Sequence, residues 1–256
     1  MTQYEEKLRR EQAWHEHRGY RPGHILNSWP FFSPKRAALS ARFERTQFAE
    51  QIQRRIEREG LTDPRILLAP LGTGLDLPYL MPLSKRMAGI DISPTALEAI
   101  AEPSLEKHLG DIRHMDMFEE GRFDLVIMSA FFHHFLKFGF TEFLAEARRV
   151  LRPGGHLFAI EPNLLHPFAL AAWCGKKVFG NITGCVEDES PFYPGRLKSA
   201  MRRCGFQEVK LWAANYSHHR VPVPLARILC GMTPPLRHAP LIKYACGAVV
   251  FYGRKP

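Results

Sequence analysis

The stretch RILLAPLGTGLDLPYL, residues 65 to 80, constrains the fold more than any other part of the chain. An apolar run of strand length stops at Gly72 and Gly74, and a helix-compatible segment follows at once. Glycine at such a junction lets a ligand reach main-chain N–H groups that a side chain would cover, and a helix opening there points its positive end at that ligand. Around this junction the pattern alternates. A helix is expected over residues 34 to 59, opened by Ser33 and Pro34, striped by Ala41, Phe48, Ile52 and Ile56, and stopped by Gly60. Strands are expected at 65 to 70, near 86 to 91 and at 123 to 129. Helices are expected after Gly74, after Ser93 and Pro94 with Leu97, Ile100 and Ala101 inward, and over 141 to 151. Pro153, Gly154 and Gly155 should break that last helix before a further strand, HLFAIE. This is the rhythm of a parallel sheet with helices on both faces.

Beyond residue 161 the rhythm loosens. An amphipathic helix carries Leu197, Ala200, Met201 and Cys204, with Gly205 as its C-cap, and FQEVKLWA (206 to 213) and CGAVVFYG (246 to 253) read as strands. Between them lies an excursion of about 30 residues, too long for an idle hairpin loop. LLHPFALAAWCG, residues 164 to 175, is too short to cross a membrane and has the length of a core helix or an interfacial segment. The first residues, MTQYEEKLRR, are charged and lack the apolar core of a signal peptide, so a cytoplasmic location is expected. The five cysteines lack CxxC spacing, which points to free, mostly buried thiols.

Charge is uneven. The net charge of +9 comes from the flanks, residues 1 to 60 and 161 to 256, while residues 61 to 160 are mildly acidic. Such flanks suit a solvated surface, an anionic substrate or a peripheral membrane contact. No nucleic-acid-binding motif accompanies them, so a nucleic-acid partner is not expected. The histidines His15, His17, His218 and His219 lack carboxylates or thiolates at ligand spacing, and no metal is expected.

The chemistry-bearing residues cluster at strand ends. Asp91 closes the second strand seventeen residues after Gly74, where a carboxylate can hold two ribose hydroxyls. A dinucleotide fingerprint would need a third glycine, and position 77 is Leu, which weakens the case for NAD. His133 and His134 follow the fourth strand at the mouth where substrates enter such sheets, and either could accept a proton near neutral pH or merely cap the next helix. Glu161 ends the fifth strand as a substrate contact or a solvated strand-end charge.

LGTG, GIDIS (89 to 93), GDIRHMD (110 to 116), FDLVIMSAFFHHF (123 to 135) and RRVLRPGGHLFAIEPN (148 to 163) together resemble the ordered motif series of class I S-adenosylmethionine-dependent methyltransferases, type 11 group. YPGRLKSAMRRCGFQEV (193 to 209) is similar to a later helix and strand of that family. The resemblance implies a Rossmann-like α/β fold with a seven-stranded, mostly parallel sheet whose last strand is antiparallel, and S-adenosyl-L-methionine as cofactor. It places Gly72, Thr73 and Gly74 against the methionine and ribose portions, Asp91 and Ile92 on the ribose, Asp111 and Ile112 at the adenine, and Ser129 beneath the sulfonium. It makes His134, with His133 beside it, the candidate base. Two positions depart from the family: Leu68 replaces an acidic residue that helps hold the methionine amino group, and Pro70 replaces a glycine. Asp76 is close enough to substitute for that acid.

The expected organisation is an N-terminal helical cap or lid over residues 1 to 60 and a methyltransferase domain over 61 to 256 with insertions at about 164 to 194 and 215 to 244. Substrate choice should lie in these elaborations, where Trp14, Tyr20, Trp29, Phe31, Phe32, Trp173, Phe192 and Tyr193 could line a pocket or simply pack. The expected activity is methylation, at oxygen, of a small-molecule or lipid-linked acceptor. The alternative is a non-methylating enzyme or nucleotide-binding protein that keeps the fold, a nucleotide-dependent oxidoreductase included.

Overall fold

A computed structural model gives the structure of residues 2–16, 34–179, 190–217 and 221–256. In chain order the elements are α1 (Gln3–Glu16), α2 (Pro34–Arg58), β1 (Ile66–Leu68), α3 (Leu77–Leu80), β2 (Met87–Asp91), α4 (Pro94–Glu98), β3 (Glu106–Leu109), β4 (Phe123–Ser129), α5 (Thr141–Val150) and β5 (Leu151–Pro162). They are followed by α6 (Pro167–Phe179), α7 (Pro194–Arg203), β6 (Gln207–Asn215), α8 (Val223–Leu236) and β7 (Ala248–Arg254). The strands form one seven-stranded sheet in the order β3-β2-β1-β4-β5-β7-β6. β7 runs antiparallel to both of its neighbours, and the other pairs are parallel. This is the expected seven-stranded, mostly parallel α/β architecture.

The central strands are apolar on both faces because both are covered. Along β1 the side chains alternate: Leu67 joins one core with α5 and α7, while Ile66 and Leu68 join the other with α2, α3 and α4. Of the expected stripe on α2, Phe48, Ile52 and Ile56 are buried as their spacing demands, while Ala41 is half-buried. Gly60, at φ +62°, ends that helix while Leu61 N donates to Ile56 O. Each fully buried Leu or Ile contributes about 1.5 to 3 kcal/mol. An exposed pair such as Arg10–Glu6 contributes about 0 to 1 kcal/mol. The two apolar layers hold the sheet, and surface ion pairs only trim it.

Several expectations are corrected. β3 escaped the sequence reading because EKHL is an edge strand, largely exposed, with no apolar run to mark it. α4 stops at Glu98, so Ala101 lies beyond the helix and is exposed while Leu97 and Ile100 are buried. The Pro-Gly-Gly segment does not precede β5 but lies within it: Phe123 pairs with Leu151 and Leu125 with His156, so residues 152 to 155 bulge outward between two pairs of the same ladder. Gly155 tolerates nothing larger there, since a Cβ would stand 2.9 Å from Arg152 O. Of the four cysteines described, Cys230 and Cys246 are buried, Cys204 is half-buried and Cys174 is exposed, so burial of the thiols is only partial; Cys185 lies outside the described residues. The long excursion contains α8, and residues 164 to 175 enter α6. No described helix is long and apolar enough to cross a membrane.

Candidate functional site

Four parallel strands, β1, β2, β4 and β5, bring Gly72, Asp91, Ser129 and Glu161 to one edge of the sheet, at their carboxyl ends. That edge is where the crossover between β1 and β4 opens a crevice. Asp91 is buried and its two oxygens are shared out: Oδ2 accepts from Gly72 N at 2.7 Å and Oδ1 from Ser93 N at 2.9 Å. Each oxygen keeps a lone pair, and no cation is paired with this carboxylate among the described residues. Gly72 sits at φ +56°, and a Cβ built there would meet nothing within 4 Å. An open cradle before a pinned carboxylate accepts a hydroxylated, nucleoside-like ligand, so these residues fit an S-adenosylmethionine molecule. Gly74, at φ +73°, instead packs on Leu77 and Ile100, and Thr73 is exposed. Leu68 is buried in the core, and the Ala69–Pro70 peptide is cis.

The part of this edge around Asp111 is covered by α1. Tyr4 Oη donates to Asp111 Oδ1 at 2.8 Å, and the same oxygen accepts from Arg113 N. Burial, then the charge and hydrogen bond of Asp111, raise the Tyr4 hydroxyl well above its usual range, so it stays a donor. Ile112 is buried behind it. Gln12 Nε2 donates to Ile92 O at 2.7 Å. One helix therefore touches both Asp111, after β3, and Ile92, after β2.

At the end of β4 the chain turns on Ala130, a non-glycine residue at φ +49°, into a 3₁₀ turn, Phe132–His134. Glu161 organises that turn. Its Oε1 accepts from Phe131 N (2.7 Å) and Phe132 N (2.8 Å), and its Oε2 from His133 N (3.3 Å), while His133 Nδ1 lies 2.9 Å away. Glu161 is thus neither solvated nor placed as a substrate contact; it is a buried acceptor for the unpaired N–H groups of a turn. His133 shares its burial. His134 is half-buried, with Nδ1 3.3 Å from Glu11 of α1, and Glu11 pairs with the buried Lys7 at 2.5 Å. Burial would raise the Glu11 carboxyl, but the bonds and charges of His134 and Lys7 outweigh it and hold the pKa down to about 2.

Asp76, the expected substitute for the acid missing at Leu68, is engaged by Arg45 Nε at 2.7 Å. The adjacent α2 residue, Glu44, has no hydrogen bond or ion pair among the described residues. Burial, opposed by Arg45 and reinforced by Asp76, lifts its pKa to about 7. α2 sets it between two anchors: Ser40 Oγ accepts from Asn215 Nδ2 at the end of β6, and Arg45 reaches Asp76. Glu44 was missed in the sequence, although a carboxylate four residues before Phe48 on an apolar stripe is the signal that marks it. Tyr4, Lys7 and Glu11 were missed for a similar reason, since their i, i+3, i+7 spacing with Leu8 makes one inward face of α1.

Residues 69–159 match the family model of the type 11 methyltransferase domain. The chain carries a methyltransferase domain. Such a domain takes S-adenosylmethionine as its cofactor, and the seven-stranded sheet that carries it has the Rossmann-like class I fold. In fold it is similar to an S-adenosylmethionine-dependent methyltransferase of Thermotoga maritima, at 18% identity and TM-score 0.57 over 91% of this chain and 96% of that one. It is similar also to one of Archaeoglobus fulgidus, at 16% identity and TM-score 0.53 over 81% and 94%. A third is phosphoethanolamine N-methyltransferase 2 of Haemonchus contortus, in complex with phosphomonomethylethanolamine and S-adenosylhomocysteine, at 15% identity and TM-score 0.52 over 76% of this chain and 49% of that one. At such identities the likeness is one of fold. No curated protein matches the chain in sequence.

Of the aromatic residues expected to line a pocket in the methyltransferase, Phe192 is buried against Phe140, Trp173 is half-buried and Tyr193 is exposed. Tyr20, Trp29, Phe31, Phe32 and the side chain of Trp14 lie outside the described residues, as do His17, His218, His219 and the side chain of His15. Glu161→Ala should destabilise the protein by about 3 kcal/mol or more in urea unfolding, because it strands three buried N–H groups at about 1 to 3 kcal/mol each; a change under about 1 kcal/mol would refute the clamp.

Proposed function

We propose that the chain is a cytoplasmic S-adenosylmethionine-dependent methyltransferase that methylates an oxygen of a small-molecule or lipid-linked acceptor. The observation that carries this reading is the Asp91 carboxylate, pinned by Gly72 N and Ser93 N before the open cradle at Gly72. When bound, the cofactor supplies a methyl group on a sulfonium centre. The protein's part is to place an acceptor in line with that group, within about 3 to 3.5 Å and away from water.

In this reading Asp91 takes the ribose hydroxyls beside Ile92, Gly72 to Gly74 provide the main-chain path, Asp111 and Ile112 flank the adenine, and Ser129 lies under the reacting centre. Of residues 1 to 60, expected as a cap, α1 has that role and closes the adenosine end through Tyr4 and Gln12, while α2, packed in the core of the sheet, belongs with the domain of residues 61 to 256. Glu44 takes the role left open at Leu68: a carboxylate beside the β1 turn, available for the amino group of methionine, while Asp76 is held by Arg45. His134 is the base. Its Nδ1 is oriented by Glu11, which leaves the other ring nitrogen to receive the acceptor's hydroxyl proton. His133, tied to Glu161, positions the turn. An oxygen acceptor is favoured because a hydroxyl needs such a base, and the carboxylate–histidine arrangement provides one.

Three measurements test the assignment. Asp91→Ala should weaken S-adenosylmethionine binding in calorimetry by about 1.5 to 3 kcal/mol, the worth of charge-assisted bonds; unchanged affinity would displace the ribose from this carboxylate. His134→Ala should lower turnover about 100-fold or more with cofactor affinity retained, and wild-type turnover would remove it as the base. Glu44, uncharged below its pKa of about 7, should make cofactor affinity rise as pH increases through that value. Glu44→Gln should flatten this dependence while leaving the affinity for 5′-methylthioadenosine, which lacks the amino acid, unchanged; equal losses for the two ligands would rule out the ammonium contact.

A further inference from the structure

The carboxyl edge of the sheet carries a second feature. α6, α8 and the 3₁₀ turn Ile242–Ala245 are rooted there together. Asn163 Nδ2, just before α6, donates to Tyr244 O (2.7 Å) and Cys246 O (2.8 Å), while Tyr216, just after β6, donates its N–H to Thr233 Oγ1 and its hydroxyl to Leu236 O in α8. These rooted elements expose apolar side chains. On α8, Leu225, Ile228 and Met232 follow one another at i, i+3 and i+7, and Ile228 is 59% exposed. The opposite face of that helix buries Ala226, Cys230 and Thr233, so the helix has an apolar inner face and an apolar outer one. Phe168 on α6 is exposed as well. Leu241 is 83% exposed at φ +65°, a backbone conformation that disfavours a leucine and that nothing in its own packing repays. Ile242 follows it, half in solvent.

The charges of these segments have one sign. From residue 209 to the last residue of the sequence there is no Asp or Glu, and there is none from 162 to 186; Arg227, His238 and Lys243 accompany the exposed apolar residues, and Lys176 and Lys177 follow in α6. A second copy of the chain would oppose this face with the same cations, which repel. Apolar side chains projecting singly along a helix, with a leucine at a tip, match a fluid apolar phase better than a shaped protein pocket, and the cations match anionic headgroups above it. No described helix can cross a bilayer, so the contact is with its surface layer.

We propose that α6, α8 and the turn around Leu241 form a docking surface for an anionic lipid membrane, at the same sheet edge as Gly72, Asp91 and Ser129. Docking there would set the mouth of the crevice against the bilayer, where a lipid-linked molecule is met. The proposal does not depend on methyl transfer, since it is read by binding alone.

The test is sedimentation of the full chain with phosphatidylcholine vesicles containing about one-fifth phosphatidylglycerol, and with phosphatidylcholine alone. The expected result is association that grows with the phosphatidylglycerol fraction and weakens with salt, that falls about tenfold or more in Ile228→Asp/Leu241→Asp, and that is weaker and less salt-dependent in Arg227→Ala/Lys243→Ala. Because Arg227, Ile228 and Leu241 are exposed and Lys243 is half-buried with its ammonium against the Tyr244 ring, thermal melting of both variants should stay close to the parent, and S-adenosylmethionine binding should be retained. Absence of association with the anionic vesicles, or equal association of parent and Ile228→Asp/Leu241→Asp, overturns the proposal. So does a dimer in analytical ultracentrifugation that Ile228→Asp abolishes, which would give the face to a second copy.

Discussion

The functional edge of this protein depends on a shared acceptor. Asp91 closes β2, yet its two oxygens serve main-chain N–H groups on either side, one at the turn after β1 and one at the start of α4. The parallel register of β1 with β2 brings those groups within reach, with Leu68 opposite Gly89 two residues before the carboxylate. Gly89 lets Leu71 pack against it, since a Cβ there would stand 2.8 Å from that side chain. An apolar contact and a charge-assisted pair thus fix the same turn from two sides.

Glu161 repeats the device on the other flank of the crevice, holding the turn after β4 from the end of β5. In each case a buried carboxylate at a strand end takes up main-chain donors of a neighbouring loop, which otherwise would stay unpaired. The loops that face the site are therefore rigid where they leave the sheet.

How much of this could be read from residue order follows from the range of the interactions. The strands with continuous apolar runs, β1, β2 and β4, and the striped helices α2, α5 and α7 were legible because burial periodicity is local. β3 was not, since an exposed edge strand carries no such pattern. The strand-end residues Gly72, Asp91, Asp111, Ser129 and His134 were legible as an ordered series, and the sheet brings them to one edge. The partners of those residues were not. Tyr4 reaches Asp111 across 107 positions and Glu11 reaches His134 across 123, and no local signal records such a meeting. Glu161 was visible as a residue but not as a clamp, because its role depends on the backbone course of a turn about thirty positions away. Glu44 sat in plain view on an apolar stripe, where its charge breaks the pattern.

α1 is held over the crevice by polar bonds from Tyr4, Gln12 and Glu11 and by the Tyr4 ring, which packs among Phe135, Phe138 and Phe143. The ring seats the first turn of the helix by burial, while Gln12 and Glu11 fasten its far end by bonds that can break one at a time. In the proposed reading, a helix anchored at one end and latched at the other would release the spent molecule by lifting only its latched end.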